Sequence, residues 1–261
     1  MDQKQKQLKQ ISAIFLLAGY GKRISDVTKD PKCLLKINKK TLLNRNLSIL
    51  KKLNIKNVTL VLGYKKKKIK KHIKNSNKYF DFKFSYNDKY KTKGNSFSLL
   101  KGLESSNGTS LVFDGDLIFS IQILENFLKN NSNSSFLIGQ SPITNIECAK
   151  ALADRYGFIR KTIDKRPINQ SELKKLKFVG EAIGIIQIKS DMRTKMVSSL
   201  RKFLKKKKNM NLNWEHFMNK FLRFNNFKYK KTTSSQWIEI DTKQDYINAK
   251  SLFKNDKTSK I

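Results

Sequence analysis

Acidic side chains are scarce in this sequence. Asp and Glu number 20 against 56 Lys and Arg in 261 residues, a formal net charge of +36. Cysteine is nearly absent too, and Cys33 and Cys148 alone cannot build a disulfide framework. There are three prolines and no stretch rich in proline, glycine or serine to act as a linker, which favours one domain. No apolar run approaches the roughly 18 residues of a membrane span. The first such run, Ile14 to Ala18, follows a polar, lysine-rich start and is too short for a secretory core. The only histidines are His72 and His216, and no Ser/His/Asp or Cys/His constellation is visible. What is present is a chain 38% hydrophobic, enough for a sizeable core. Its apolar residues recur with clear period, which argues against disorder. The expectation is a soluble, cytoplasmic globular protein with no membrane span.

The excess of lysine invites a nucleic-acid reading. Basic patches bind phosphate backbones in a salt-dependent, sequence-independent way. Here, however, the lysines form runs such as Lys65–Lys68 and Lys205–Lys208, mixed with Asn and Ile. That pattern reads as a composition bias over solvated helix faces. No zinc spacing, RNA-binding aromatic motif or basic zipper accompanies it. The expectation is no specific nucleic-acid partner, with a basic nucleic-acid-binding protein as the non-enzyme alternative.

Strands and helices alternate along the chain. The run Ile14–Leu17 reads as a strand ending in a turn with Gly19 and Gly21, and Thr41 reads as a helix N-cap. Leu43, Leu47, Leu50 and Leu53 fall at helical spacing, and Val58–Leu62 reads as a buried strand closed by Gly63. A basic helix over 65–74, a strand over 82–86, a helix over 96–103 and a strand over 110–113 follow. Further on come a helix over 121–128, a strand over 135–138, a polar surface excursion over 164–177 and a long strand over 178–188. Helices over about 192–204 and 214–224, a strand over 237–240 and a helix from about Gln244 complete the pattern. This alternation predicts an α/β fold, a Rossmann-like mostly parallel mixed sheet flanked by helices.

Three segments carry possible chemistry. The first is Leu17-Ala18-Gly19-Tyr20-Gly21-Lys22-Arg23, where glycines let backbone N–H groups approach a phosphate and cations stand ready. Lys32 follows a proline that stiffens its loop. A glycine turn with solvated lysines is the plain alternative. The segment is neither a dinucleotide fingerprint nor a Walker loop. The second is Asp114-Gly-Asp116 at the end of a buried strand, where acids are costly unless paired or bound to a cation. Mg²⁺, which takes carboxylate oxygens together with substrate phosphates, fits there, although an Asp cap on the next segment is the alternative. The third is Glu239 and Asp241, placed on one strand face by alternation; Asp241 could also simply cap the following helix. A phosphate-cradling turn, a loop lysine and two separated carboxylates that share one cation are equipment for phosphoryl or nucleotidyl transfer.

Leu17-Ala-Gly-Tyr-Gly-Lys-Arg with Asp30-Pro-Lys-Cys-Leu-Leu resembles the signature of the sugar-phosphate nucleotidyltransferase superfamily. The resemblance covers nearly the whole chain. Tyr86-Asn-Asp-Lys-Tyr, Gly94-Asn-Ser-Phe-Ser-Leu, Phe113-Asp-Gly-Asp, Val179-Gly-Glu-Ala-Ile-Gly and Glu239-Ile-Asp-Thr-Lys-Gln-Asp-Tyr are similar to the phosphocholine cytidylyltransferase branch. Leu17 stands where the family usually has alanine. The resemblance implies a single nucleotidyltransferase domain over 1–261, with a nucleotide-binding half over about 11–140 and an acceptor-binding part over about 141–255. It further implies that Leu17 to Lys22, Asn95, Ser96 and Asp114 hold the nucleotide and that Arg23 and Lys32 neutralise the phosphates. Asp116 and Asp241 would be the Mg²⁺ ligands, and Glu181 and Glu239 would lie on the acceptor side. The implied reaction joins CTP and phosphocholine into CDP-choline and pyrophosphate. A sugar 1-phosphate, an inositol phosphate or 2-aminoethylphosphonate are the alternative acceptors. A quaternary ammonium cannot donate hydrogen bonds, so it is held against aromatic faces with a carboxylate nearby. Trp214-Glu215, which matches an aromatic–acid pair in relatives, Trp237 and Tyr156 are the candidates; core packing of both tryptophans is the alternative. Oligomeric state is left open.

Overall fold

The structure, a computed structural model, describes residues 11–74 and 78–254. Strand β1 (Ile11–Leu17) is buried along its whole length and leads through the glycine turn to the small ribbon β2 (Lys36–Ile37) and β3 (Lys40–Thr41). Helix α1 (Leu42–Lys52) starts at Thr41, whose hydroxyl accepts from the Asn44 amide at 3.2 Å, as the sequence predicts. Then come β4 (Asn57–Leu62), α2 (Lys66–Ile73), β5 (Asp81–Tyr86), α3 (Asn95–Ser105), β6 (Thr109–Asp114), β7 (Leu117–Phe119) and α4 (Ile121–Leu128). The second half adds β8 (Ser135–Gly139), β9 (Lys150–Ala153), β10 (Ile159–Ile163), the one-turn α5 (Gln170–Leu173) and β11 (Lys177–Ile188). It ends with α6 (Ser190–Lys205), α7 (Trp214–Phe221), β12 (Lys228–Thr232), β13 (Trp237–Glu239) and α8 (Lys243–Leu252). None of the described helices is long and apolar enough to cross a membrane.

Nine strands form one mixed sheet, ordered β10-β9-β11-β6-β1-β4-β5, with β8 on β11 and β12 on β8. The half built from β6, β1, β4 and β5 is parallel, and β11 runs antiparallel to β6, β8 and β9. Both faces are covered, so β1 reads as a continuous apolar run. Ala13, Phe15 and Leu17 join one core with Leu43, Leu60, Phe113 and Phe127. Ile14 and Leu16 join the other with Leu99, Val112, Met196 and Phe217. A third, smaller core packs Ile24, Leu35 and Leu42 against Ile118, Ile240, Ala249 and Phe253. It ties the loop after β1 to the C-terminal segment.

Strands β7, β9, β10 and β12 lie outside the sequence-based expectation. Strand β12 reads Lys-Tyr-Lys-Lys-Thr and lacks an apolar face of its own, so only its parallel ladder with β8 makes it a strand. Strand β10 is a sheet edge, and the Asn219 amide of α7 stands in for a neighbour: it accepts from the Thr162 N–H (2.7 Å) and donates to the Thr162 carbonyl (2.7 Å).

Residues 185–188 of β11 lie beside β6, and its first half runs on past the end of β6 to pair with β9. The change of partner occurs at Gly184, in the left-handed region at φ +72°, where a Cβ would stand 2.5 Å from an Asp114 carboxylate oxygen. Gly184→Ala should therefore cost on the order of 1–3 kcal/mol in backbone strain alone and push Asp114 aside. Urea unfolding that matches wild type within error would show that the bend tolerates a side chain.

Candidate active site

The strand end Asp114 and the turn Gly115-Asp116 are fixed by backbone crowding. A Cβ at Gly115 would lie 2.7 Å from the Leu16 carbonyl, so the turn packs directly on β1. After it, β7 pairs with β13, setting Leu117 opposite Glu239, and the Ile240 amide donates to the Asp116 carbonyl at 3.1 Å. That ribbon joins two acidic segments remote in sequence. Asp116, Glu239 and Asp241 each present a carboxylate oxygen within 4.8 Å of the others. Asp241 is not the cap of α8: that role falls to Thr242, in a capping box with Asp245.

Opposite the acids lies the glycine turn. The Tyr64 amide donates to the Ala18 carbonyl (3.1 Å), an approach open because position 63 is glycine; a Cβ there would lie 2.8 Å from that carbonyl. Gly21 adopts φ +68°, and the Lys32 side chain passes so close that a Cβ on Gly21 would meet its Cγ at 2.9 Å. Leu17 and Ala18 are buried, whereas Gly19, Tyr20 and Lys22 are exposed. Farther along, the Tyr64 hydroxyl (2.8 Å) and Lys65 Nζ (2.7 Å) donate to the Lys29 carbonyl, and Lys68 pairs with Asp30, fastening the loop to the start of α2.

The cations meet the acids directly. Lys32 Nζ donates to Asp116 Oδ2 (2.9 Å), Asp241 Oδ1 (2.5 Å) and the Ile240 carbonyl (3.2 Å). Arg23 pairs with Asp241 Oδ2 at 2.5 Å. Burial works against the Lys32 charge, but Asp116 and Asp241 outweigh it and raise its pKa. Burial likewise opposes the Asp241 charge, yet Lys32, Arg23 and Lys165 hold its pKa below the ordinary value. Glu239 behaves oppositely: burial, then Asp116, Asp241 and Asp114, push it well up.

Lys165 escaped sequence reading. It belongs to the stretch expected to be a surface excursion, yet its Nζ stands 4.0 Å from Asp241 Oδ2. Its backbone is left-handed at φ 43°, strained for a side chain that large. The next residue is held on both sides. The fully buried Lys150 donates to the Arg166 carbonyl (3.0 Å), while the Arg166 guanidinium pairs with Glu172 (2.6 Å). Among 56 cationic residues nothing local marks this lysine. Only the Lys150 anchor, itself an anomaly as a buried lysine, signals it.

Toward α7, Trp214 is buried and packs near Phe136 (6.3 Å between ring centroids). Its backbone amide donates to the Asn95 side-chain oxygen at 2.7 Å. Burial, then Asp116 and Glu215, raise the Asp114 pKa well above the carboxylate range. Glu215 has a buried oxygen without a partner, and burial, with Asp164 adding repulsion, pushes its pKa up to about 7. The Ser96 hydroxyl is buried and has no partner either. Glu181 lies across the β9–β11 ladder from Lys150, and burial raises its pKa. Two expected acceptor residues stand elsewhere. Tyr156 is 61% exposed on the β9–β10 turn and bonded to Arg155, and the Trp237 ring is buried against Gly139 and Ile183.

A parallel α/β half with a glycine turn at the end of its first strand, facing acids and cations, defines a nucleotide-handling transferase. Residues 13–145, just over half of the chain, match the MobA-like NTP transferase domain. The chain belongs to this family of nucleotidyltransferases. It is 30% identical over 169 residues to the choline-phosphate cytidylyltransferase of Haemophilus influenzae, covering 64% of this chain and 68% of that one. The bifunctional protein GlmU of Clostridium botulinum is 27% identical over 169 residues, and the match spans 62% of this chain but only 35% of that longer protein. Two solved structures share the fold. The CTP:phosphocholine cytidylyltransferase of Streptococcus pneumoniae has a TM-score of 0.74 at 21% identity, over 94% of this chain and 99% of that one. The inositol-1-phosphate CTP transferase of T. maritima has a TM-score of 0.73 at 18% identity, over 95% and 98%.

Because Asp241 is held below its unfolded pKa, its contribution to stability is fully present at neutral pH. That contribution disappears as pH falls through the folded-state value. Asp241→Asn should flatten this part of the acid limb of stability, from about pH 5 downwards. An unchanged acid limb in urea melts would mean that the cations do not stabilise this carboxylate.

Proposed function

We propose that this nucleotidyltransferase is a Mg²⁺-dependent cytidylyltransferase that couples CTP to phosphocholine. A phosphate oxygen of phosphocholine attacks the α-phosphorus of CTP; the bond to the β-phosphate oxygen breaks, and pyrophosphate leaves carrying the electron pair. No covalent enzyme intermediate is needed. The backbone of Ala18 to Gly21 cradles the nucleotide phosphates, with Leu17, Lys22, Asn95, Ser96 and Asp114 around the nucleotide. Arg23 and Lys32 neutralise charge on the triphosphate and the attacking phosphate, and Lys165 reaches the same place from the other side.

Asp116, Asp241 and Glu239 suit Mg²⁺, since the donor set is all oxygen and Asp116 Oδ1 is buried without a partner. Bound there, Mg²⁺ would stabilise charge on the phosphates. Full activity in EDTA, or in Asp116→Ala or Asp241→Ala, would contradict this; each substitution should nearly abolish turnover with the fold intact.

One observation carries the choice of acceptor: Glu215 keeps a buried, unpartnered oxygen beside two further acids, Asp114 and Asp164. A neutral sugar would not relieve that repulsion. A quaternary ammonium brings charge without demanding hydrogen-bond acceptors, and the named Haemophilus and Streptococcus relatives use choline phosphate. Both tryptophan rings are buried, so the ammonium would be held chiefly by Glu215 and its neighbouring acids rather than by an open aromatic box.

Pyrophosphate release with four nucleoside triphosphates and a panel of acceptors tests the reading. The highest kcat/KM should fall to CTP with phosphocholine. Faster turnover with a sugar 1-phosphate, an inositol phosphate or 2-aminoethylphosphonate would overturn the acceptor. Lys32→Ala should lower kcat/KM at least about tenfold, or roughly 1.4 kcal/mol of transition-state stabilisation.

Glu215 also gives a pH signature. Raised to about 7, it binds a cation only once ionised, so KM for phosphocholine should fall as pH rises through neutrality. Glu215→Gln should lose that dependence while retaining the part due to the phosphate's own ionisation near pH 6. A pH profile of KM identical in both proteins would remove Glu215 from the acceptor site.

A further inference from the structure

Lys32 has two relationships with the acidic cluster that pull in opposite directions. Its ammonium bridges Asp116 Oδ2 and Asp241 Oδ1, at 2.9 and 2.5 Å, while the backbone carbonyl of Ile240 takes a third N–H at 3.2 Å. All three donors of the ammonium are thus committed. Yet Asp116 and Asp241 are also the carboxylates best placed, with Glu239, to hold a divalent cation. An ammonium and a dication sharing the same two carboxylates repel strongly where both are withdrawn from water. The Lys32, Asp116 and Asp241 side chains are only 16%, 19% and 16% exposed, so solvent does little to screen that repulsion.

We propose that Lys32 is an internal competitor of the divalent cation, and that it couples cation binding to nucleotide binding. With its carboxylate partners engaged, Lys32 keeps the acidic cluster neutralised and lowers its affinity for the metal alone. A triphosphate offers the ammonium new anionic partners. When Lys32 moves to them, the two carboxylates are released to the cation, so each ligand favours the other. The coupling must be reciprocal. The glycine at position 21 leaves the Lys32 stem a path along the phosphate-cradling turn, since any Cβ there would meet Lys32 Cγ at 2.9 Å. Arg23, 52% exposed and paired with the outer oxygen of Asp241, and Lys165, 4.0 Å away, reinforce the neutralisation without bridging both acids. This inference rests on the divalent-cation site of the proposed function, but not on the identity of the base or the acceptor.

Mn²⁺ binding tests it directly, followed by electron paramagnetic resonance or calorimetry on the whole protein. The first comparison contains no nucleotide or acceptor, so an error in the assigned substrates leaves it intact. Lys32→Met should bind Mn²⁺ at least tenfold more tightly than wild type, although its catalysis is lost. Lys22→Met, which removes an exposed charge from the same loop, should change Mn²⁺ affinity less than threefold. Adding a CTP analogue with a methylene bridge between the α- and β-phosphorus should tighten Mn²⁺ binding more in wild type than in Lys32→Met. Equal or weaker Mn²⁺ binding by Lys32→Met would overturn the competition. So would an equal gain from Lys22→Met, because the effect would then be general electrostatics. Should the methionine variant fail to fold, Lys32→Gln gives the same comparison. Absence of Mn²⁺ binding to every protein would bring down the cation site itself, and this inference with it.

Discussion

The ion pair between Lys32 and the two aspartates is the constraint around which the site is arranged. Asp116 sits after the sixth strand and Asp241 near the C-terminal end, so nothing local brings them together. The β7–β13 ribbon does so, and the small core of Ile24, Leu35, Ile118, Ile240 and Phe253 holds the Lys32 loop against it. Each element is weak alone: a three-residue strand pair and a cluster of about a dozen side chains. They persist because the charges are matched. Removing one partner of a buried pair leaves the other charge unsatisfied in a poorly solvated place, at a typical cost of 3–5 kcal/mol. The loops meet where they do partly because separation would strand acids beside acids.

The long strand β11 shows how the same sheet serves two purposes. Its last residues extend the parallel half as an antiparallel neighbour of β6, and its first residues continue beyond it as a wall toward β8 and β9. Gly184 marks the change, and the absence of a side chain there is what admits the Asp114 carboxylate. One glycine thereby sets how close the β8–β9 wall comes to the end of β6.

Much of this was legible in sequence because the core elements are strongly periodic. The buried run of β1 and the Thr41 cap declared themselves, as did the helical leucines of α1 and the apolar stretch of β4. They satisfy local rules that do not depend on the rest of the chain. Strand β12 was illegible for the opposite reason: Lys-Tyr-Lys-Lys-Thr becomes a strand only through its ladder with β8. At the site, the glycine turn, Arg23, Lys32, Asp116, Glu239 and Asp241 could be picked out, and the fold brings these charged groups into contact. Lys165 could not, since in so lysine-rich a chain one more lysine carries no information. Both tryptophans illustrate a different limit. Their chemistry allowed an aromatic cage or a core, and burial of 3% and 9% residual exposure gives each ring a packing role.

Scarcity gives the acids their meaning. With only 20 in the chain, several acids crowd one another: Asp116 and Glu215 act on Asp114, Asp164 acts on Glu215, and Asp116, Asp241 and Asp114 act on Glu239. A random scatter over so basic a surface would have paired them with lysines outside. Instead they are concentrated where burial is most costly to a carboxylate, and three of them, Asp114, Glu215 and Glu239, are held more protonated than usual. The surrounding field is strongly positive, which draws a polyanion such as a nucleoside triphosphate toward the molecule. A purely basic cleft would bind that polyanion and stop there. The acids within it create a local site of opposite sign, able to receive cations. In our reading, the two signs answer a reaction whose participants are an anion, a divalent cation and a cationic acceptor. On this view the general lysine excess concentrates the nucleotide near the protein, while the few acids decide what else may enter with it.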